Sequence, residues 1–244
     1  MPHPGNPSRL IYILPNLFTA SGIFAGVFSM VSAVNGEFVK AAWLIMLALL
    51  FDGLDGRVAR LTNTCSKFGL EFDSLADIVA FGVAPAILLY TYVGEGYGRY
   101  GIVVSALFVI FGAVRLARFN VMTAKTEPSV FIGVPIPTAA VFVAILVLVS
   151  ENYTTLRSEG YILLLSAVGV ALLMVSNIRY PSFKKIDLHV MHMTRSFVAI
   201  IMAALLIFLY PIEGLAVLFS LYILYGPLRA LIYLIKRWRL LRKP

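Results

Sequence analysis

FDGLDGRVARLTNTCSKFGLEFDSLADIVAFGVAP, residues 51–85, decides how this chain is read, because it sets four aspartates inside segments that otherwise have the composition of membrane spans. A carboxylate at membrane depth costs a few kcal/mol or more unless it is paired, hydrated or metal-bound, so several together point to function. Asp52 and Asp55 are three residues apart, and Asp73 and Asp77 are four apart. On two helices each pair therefore projects from a single face, one turn of side chain above another. Two such faces brought together would repel, and one or two divalent ions would offset that charge. All-oxygen ligands favour a hard cation such as Mg2+ or Mn2+. The competing reading makes these aspartates helix caps or salt-bridge partners of Arg57 and Arg60, and the apolar setting argues against it. Gly53 and Gly56, in the interior of the same predicted helix, each cost about 1 kcal/mol relative to alanine. That cost predicts a close approach to the backbone there, with small-residue packing between membrane helices as the alternative. Gly69 is expected to end the polar loop that joins the two aspartate helices.

Working outward, 60% of the 244 residues are hydrophobic and only 13% are charged. With repeated apolar runs of spanning length, this composition excludes a soluble domain and predicts an all-α polytopic membrane protein. A single cysteine, Cys65, excludes an intrachain disulfide framework and a multi-cysteine metal site. The net charge of +8 collects in loops beside the apolar segments. Such placement fits anionic lipid headgroups and membrane topology rather than nucleic acid.

The N-terminal stretch MPHPGNPSRLIYILPN lacks the layout of a cleavable signal peptide and is read as retained. Residues 9–15 are expected to form a short N-terminal interfacial helix, with Pro15 and Asn16 opening a first span over 17–34. Seven further spans are expected at 38–61, 71–93, 101–121, 132–150, 160–177, 195–211 and 214–235. All suit a hydrocarbon core about 30 Å thick. About eight transmembrane helices put both termini on one side. Sixteen lysines and arginines then fall on that side, three (Lys40, Arg99, Arg157) on the other, and Arg229 within the last helix. The positive-inside rule makes the termini cytoplasmic, together with the Thr62–Lys67 loop and the aspartates beside it.

A second polar cluster, Arg115-Leu116-Ala117-Arg118-Phe119-Asn120, stands where the fourth span ends. Arg115 and Arg118 are three apart and can share a face, and guanidinium groups suit phosphate or carboxylate. Simple anchoring in headgroups is the alternative. Pro135 and Pro137 are expected to kink or start the fifth span. His189 and His192 beside Lys184 and Lys185 lack a third ligand and read as a solvated segment. The tail LIKRWRLLRKP, with Trp238, reads as an interfacial segment on anionic lipids.

The order Asp52-x2-Asp55-Gly56-x2-Ala59-Arg60-x8-Gly69-x3-Asp73-x3-Asp77 is similar, residue for residue, to the signature of the CDP-alcohol phosphotransferase family, with eight fixed positions across 26. The resemblance implies a membrane enzyme that moves a phosphatidyl group from a CDP-linked lipid to an alcohol and releases CMP. It implies metal at Asp52, Asp55, Asp73 and Asp77, with Asp77 as general base. It also implies a nucleotide and donor site comprising Asn16, Gly56, Ala59, Arg60, Ser66, Lys67 and Gly69. For Asn16, capping of the first span is an equal alternative. A homodimer is also part of what the resemblance implies. The phrases FDSLADIVAFGVAPA, RLARFNV, GVPIPTAA and SNIRYPSFKK look like the branch of integral-membrane phosphatidylserine synthases, with Val134 a conservative departure. The donor implied is CDP-diacylglycerol and the acceptor L-serine.

On this reading, residues 1–244 form one membrane domain. It comprises an interfacial segment over 1–15, a catalytic six-helix core over 16–177, and two further helices with a basic tail over 178–244. The active site faces the cytoplasm from the inner membrane, where a lipid keeps its acyl chains in the bilayer while its diphosphate meets the metals. Arg115, Arg118 and Asn120 are the candidates for the serine carboxylate, the donor phosphate or both. Glycerol 3-phosphate or an inositol phosphate as acceptor stays open, since Arg115, Arg118, Arg179 and Lys184 are compatible with a further cationic pocket. From another class, intramembrane carboxylates and broken helices near Gly53, Gly56 and Pro85 suit a divalent-cation transporter, against which the signature argues.

Overall fold

The structure, a computed structural model, describes residues 9–62, 64, 66–123, 130–153, 159–181 and 193–241. The readings made on residues 1–8, Cys65, Lys125, Arg157, Lys184, Lys185, His189, His192, Arg242 and Lys243 lie outside those residues.

Helices α1 (Arg9–Val34) and α2 (Phe38–Leu61) form an antiparallel hairpin. Its tight turn uses Gly36 at φ 79°, a backbone state that an L side chain resists. Buried Ser29 fastens the hairpin by donating to the Ala41 carbonyl at 2.8 Å. At the hairpin turn, exposed Lys40 in the first turn of α2 pairs with Glu37 just before it at 2.8 Å and holds that carboxyl below its ordinary range. One expectation is corrected here: residues 9–15 are not a separate interfacial helix, because α1 runs unbroken through Pro15. Proline's fixed φ is already helical, and the one hydrogen bond it forfeits falls in the first two turns.

Helix α3 (Lys67–Asp77) passes through a π-helical turn (Ile78–Val83) into α4 (Ala84–Tyr92). Ser66 caps α3, its hydroxyl accepting from the Gly69 amide at 3.0 Å. Gly69 is thus the third residue of the helix and not the end of the loop; the cap places the start of the helix three residues earlier. The π turn packs tightly on α1. A methyl group on Gly26 would come within 2.8 Å of the Ala80 Cα, so only glycine lets the two backbones approach this closely.

After a 3-10 turn (Gly94–Tyr97), α5 (Arg99–Thr123) leads to strand β1 (Val130–Ile132), then α6 (Ile136–Asn152), α7 (Gly160–Val175) and strand β2 (Arg179–Pro181). The chain ends in α8 (Met193–Leu209) and α9 (Pro211–Leu241). The strands pair antiparallel with Phe131 opposite Tyr180. That pairing is why the fifth span begins at Ile136 and not at 132, with Pro135 just before it and Pro137 in its first turn, where no amide donor is needed.

Small residues make the helix contacts: Ala41, Ala42 and Ala48 on α2, Ala139, Ala140 and Ala144 on α6, and Ala167 and Ala171 on α7 are buried. Large apolar side chains such as Phe24, Val31, Ile102, Leu165 and Leu221 face outward, as a lipid-facing surface requires. Among the described residues, four helical stretches are long and apolar enough to cross a membrane: Ile13–Val34, Lys67–Tyr92, Arg99–Val121 and Pro211–Tyr233. The shorter apolar helices are Ile136–Asn152, Gly160–Val175 and Ile200–Leu209. The chain is a helical membrane protein.

Helix α9 is held by an unusual join. Pro227 lies inside it and has no amide to give the Ile223 carbonyl, which a regular helix would satisfy from that position. The buried Tyr180 hydroxyl donates to that carbonyl instead, at 3.1 Å. Burial pushes the Tyr180 phenol up to about 12, so it remains a donor at any physiological pH. Gly226 makes room for the ring, since any side chain there would run into it.

Candidate active site

The C-terminal half of α2 and the length of α3 bring the aspartates together. Asp52, Asp55 and Asp73 each offer a carboxylate oxygen within 4.8 Å of the others. Asp77 stands beside this trio, and all four border a small cavity of about 10 Å³ together with Thr19 and Gly22 of α1. That volume holds about one water-sized particle. Three hard oxygen donors around so small a space fit a divalent cation of the Mg2+ or Mn2+ kind, and a neutral apolar filling would leave their charges opposed.

Asp55 is only 6% exposed. It is oriented by Thr19, whose hydroxyl donates to Asp55 Oδ2 at 2.7 Å. The carbonyl of Pro15 lies 3.2 Å from the same hydroxyl, as its longer alternative acceptor. Thr19 was not singled out from the sequence. Its signal was present, since it follows Asn16 by three residues and so shares that residue's face of α1.

A larger cavity of about 240 Å³ opens beside the aspartates. Of the residues expected at a nucleotide site, Asn16, Gly56, Ala59, Arg60, Ser66 and Gly69 all line it, joined by Thr19, Asp55 and Asp73. Lys67 does not line it; this first residue of α3 is exposed. Asn16 lies inside α1, seven residues past its start at Arg9, which removes capping of that span as the alternative for it. Thr64, also unanticipated, is buried against the cavity, with its hydroxyl 2.7 Å from that of Thr62.

At the two glycines of α2 the structure bears on the packing alternative. A methyl group on Gly53 would meet nothing within 4 Å, and one on Gly56 would meet only the Arg60 guanidinium, at 3.5 Å. Neither is therefore a helix-packing glycine. Gly56 instead keeps the cavity wall low, with Arg60 folded over it.

The second polar cluster divides three ways. Arg115 is 7% exposed and turns inward, where it lies within electrostatic range of Asp77. Its guanidinium lies 5.4 Å from the centroid of the Phe119 ring. Arg118 points elsewhere: it donates through Nη2 to Asn177 Oδ1 at 2.6 Å and through Nη1 to the Val175 carbonyl at 3.3 Å. These contacts tie α5 to the C-terminal end of α7, where carbonyls lack helical partners. Asn120 donates from Nδ2 to Ser74 Oγ at 3.0 Å, bracing α3 at the residue after Asp73. The structure thus sets Arg115 beside Asp77 and keeps Arg118 and Asn120 on separate partners.

The profile of the family described as CDP-alcohol phosphatidyltransferase matches residues 12–175. Similar curated proteins include the CDP-diacylglycerol–serine O-phosphatidyltransferase of Helicobacter pylori strain 26695, 52% identical over 231 residues that span 94% of this chain and 96% of that protein. The archaetidylserine synthase of Methanothermobacter thermautotrophicus is 38% identical over 170 residues, 69% of each chain. The CDP-diacylglycerol–serine O-phosphatidyltransferase of Bacillus subtilis is 34% identical over 172 residues, 70% of this chain and 92% of that one.

Proposed function

This chain belongs to the CDP-alcohol phosphatidyltransferase family, and on that premise we propose that it transfers the phosphatidyl group of CDP-diacylglycerol to the hydroxyl of L-serine, giving phosphatidylserine and CMP. The observation that carries the reading is the grouping of Asp52, Asp55 and Asp73 within 4.8 Å, at the edge of a cavity lined by the rest of the signature. Relatives named for serine transfer over most of the chain's length support the choice of acceptor.

In this mechanism Asp52, Asp55 and Asp73 hold the divalent cation, with Asp77 as a fourth donor. When bound, that cation neutralises the donor diphosphate and the charge that develops on the departing CMP. Gly56 and Ala59 leave space for the cytidine, while Asn16, Arg60, Ser66, Lys67 and Gly69 are the proposed nucleotide and phosphate contacts. Asp77 takes the proton from the serine hydroxyl as it attacks phosphorus, and the bond to CMP breaks. Arg115, Arg118 and Asn120 form the proposed acceptor and phosphate side of the site. Positioning and charge complementarity supply most of the rate, as in other phosphoryl transfers. The active site faces the cytoplasm within an eight-span arrangement, the basic C-terminal segment rests on anionic lipid, and the protein works as a homodimer.

The test is CMP release by the purified chain in detergent with CDP-diacylglycerol and Mn2+ or Mg2+, supplied separately with L-serine, glycerol 3-phosphate or an inositol phosphate. Release that needs serine supports the assignment. Release with another acceptor keeps the family and overturns the substrate. No release with any acceptor reopens the transporter.

A further inference from the structure

The two helices that carry the aspartates are anchored unequally. On α2, Asp55 is itself buried and accepts from the Thr19 hydroxyl at 2.7 Å. On α3, Ala76 alone of the eleven residues is buried, while Phe68, Leu70 and Leu75 lie exposed. The C-terminal end of α3 is seated, because the π turn that follows it brings Ala80 against Gly26 of α1. Asp73 stands one turn short of that end, where burial does little to fix the rotation of the helix.

A side-chain hydrogen bond from across the fold reaches α3 at this point. Asn120 of α5 donates from Nδ2 to Ser74 Oγ at 3.0 Å; the opposite polarity, from the hydroxyl to Asn120 Oδ1, is longer at 3.4 Å. The Ser74 hydroxyl in turn donates to the Leu70 carbonyl at 3.1 Å. Asn120 therefore grips the helix at two levels, one on each side of Asp73. Ser74 and Asp73 are neighbours and point about 100° apart around the axis, the first toward α5 and the second toward Asp52 and Asp55. Fixing the direction of one fixes the other. With carboxylate oxygens about 5–6 Å from the axis, a rotation of about 10° carries Asp73 about 1 Å, which is about half the length of a Mg2+–oxygen bond.

We propose that Ser74 is a positioning residue for the carboxylate group: through its bond to Asn120 it sets the rotation of α3 and thereby the place of Asp73 beside Asp52 and Asp55. Asn120, on the acceptor side of the site, thus holds the metal side in register with it. The inference rests on the reading of the aspartates as a divalent-cation site. Groups that orient a metal ligand from behind contribute about 10–100-fold in affinity, and a brace that acts through the helix backbone belongs at the lower end of that range.

The experiment is a double-mutant cycle on the full chain in detergent, using Ser74→Ala, Asn120→Ala and the pair. Mn2+ binding is titrated with no lipid or serine present, through the loss of the electron paramagnetic resonance signal of aqueous Mn2+, and melting temperatures are recorded beside it. Each single substitution is expected to raise the Kd for Mn2+ at least threefold at an unchanged melting temperature, and the pair to stay within twofold of the larger single effect, since both remove the same bond. A rise of less than threefold for Ser74→Ala overturns the proposal. So does a pair whose effect exceeds that limit toward the product of the singles, or a Kd that merely follows the melting temperature across the variants. A native chain that binds Mn2+ while its variants behave in any of those ways refutes this inference alone. A native chain that binds no Mn2+ refutes the metal reading and this inference with it.

Discussion

Replacing Thr19 by valine removes one hydrogen bond and almost no volume, and the bond it removes is the one that orients Asp55. The threonine hydroxyl lies 2.7 Å from Asp55 Oδ2 in a buried setting. A hydrogen bond to a charged group contributes about 1.5–3 kcal/mol, more than a neutral one. At about 1.4 kcal/mol per tenfold, that energy corresponds to a factor of roughly 10 to 150. The loss falls on metal affinity first, because a carboxylate without its orienting donor turns away from the ion, and substitutions of such outer partners cost about 10–100-fold. The assay titrates Mn2+ against CMP release at saturating CDP-diacylglycerol and serine. The half-activating Mn2+ concentration is expected to rise at least tenfold for Thr19→Val, with turnover at saturating Mn2+ closer to the native value. A half-activating concentration within twofold of native, in a variant that melts at the native temperature, would refute the reasoning. Asp55 would then be held by the helix alone.

Asp77→Asn removes the proposed base while keeping its shape; turnover is expected to drop at least a thousandfold with the melting temperature held, roughly the contribution of a general base or more, and the single-turnover yield of CMP checks it. Chelation by EDTA is expected to abolish CMP release and excess Mg2+ or Mn2+ to restore it, which rate measurements before and after readdition decide. Gly26→Ala drives a methyl group to 2.8 Å from the Ala80 Cα, and overpacking of this kind costs about 1–3 kcal/mol, read as a lower melting temperature. Gly53→Ala meets nothing within 4 Å and gains about 1 kcal/mol of helix propensity, so the same measurement should move the other way. For Arg118→Ala, a serine KM raised about fivefold or more is expected if the guanidinium, already bonded to Asn177 and Val175, keeps donors for a carboxylate; an unchanged KM and turnover would leave it only the role of joining α5 to α7.

Hydropathy made the helices legible because a bilayer imposes one length and one composition on whatever crosses it. The second helix, Phe38–Leu61, falls on the residues expected of it, and the four aspartates announce a site because nothing else explains their placement. What escaped the sequence reading shares one cause. Thr19, Thr64 and Ser74 are ordinary small polar residues whose importance comes only from the group across the helix interface: Thr19 matters through Asp55, 36 positions away, and Ser74 through Asn120, 46 positions away. Periodicity reports which face of a helix a residue occupies, never which face of another helix it meets. Arg115 and Arg118 show the limit plainly. Three residues apart, they belong to one broad face by spacing, yet one turns to Asp77 and the other to Asn177.

Pro227 carries the point furthest. Read along the sequence, a proline seventeen residues into α9 is a defect that costs a hydrogen bond in a medium with no water to replace it. Read across the fold, it is what leaves the Ile223 carbonyl open to Tyr180, and Gly226 beside it is what lets the ring in. Two residues that weaken a helix when taken singly become, as a pair, a socket for Tyr180, 43 positions before the Ile223 carbonyl it bonds. The socket settles which face of α9 meets Tyr180. Substituting Pro227 by alanine therefore has two opposed effects: it restores a backbone donor to the Ile223 carbonyl and releases Tyr180 from it. A more helical α9 that docks less firmly is the expected result, read as a gain in helix content beside a lower melting temperature.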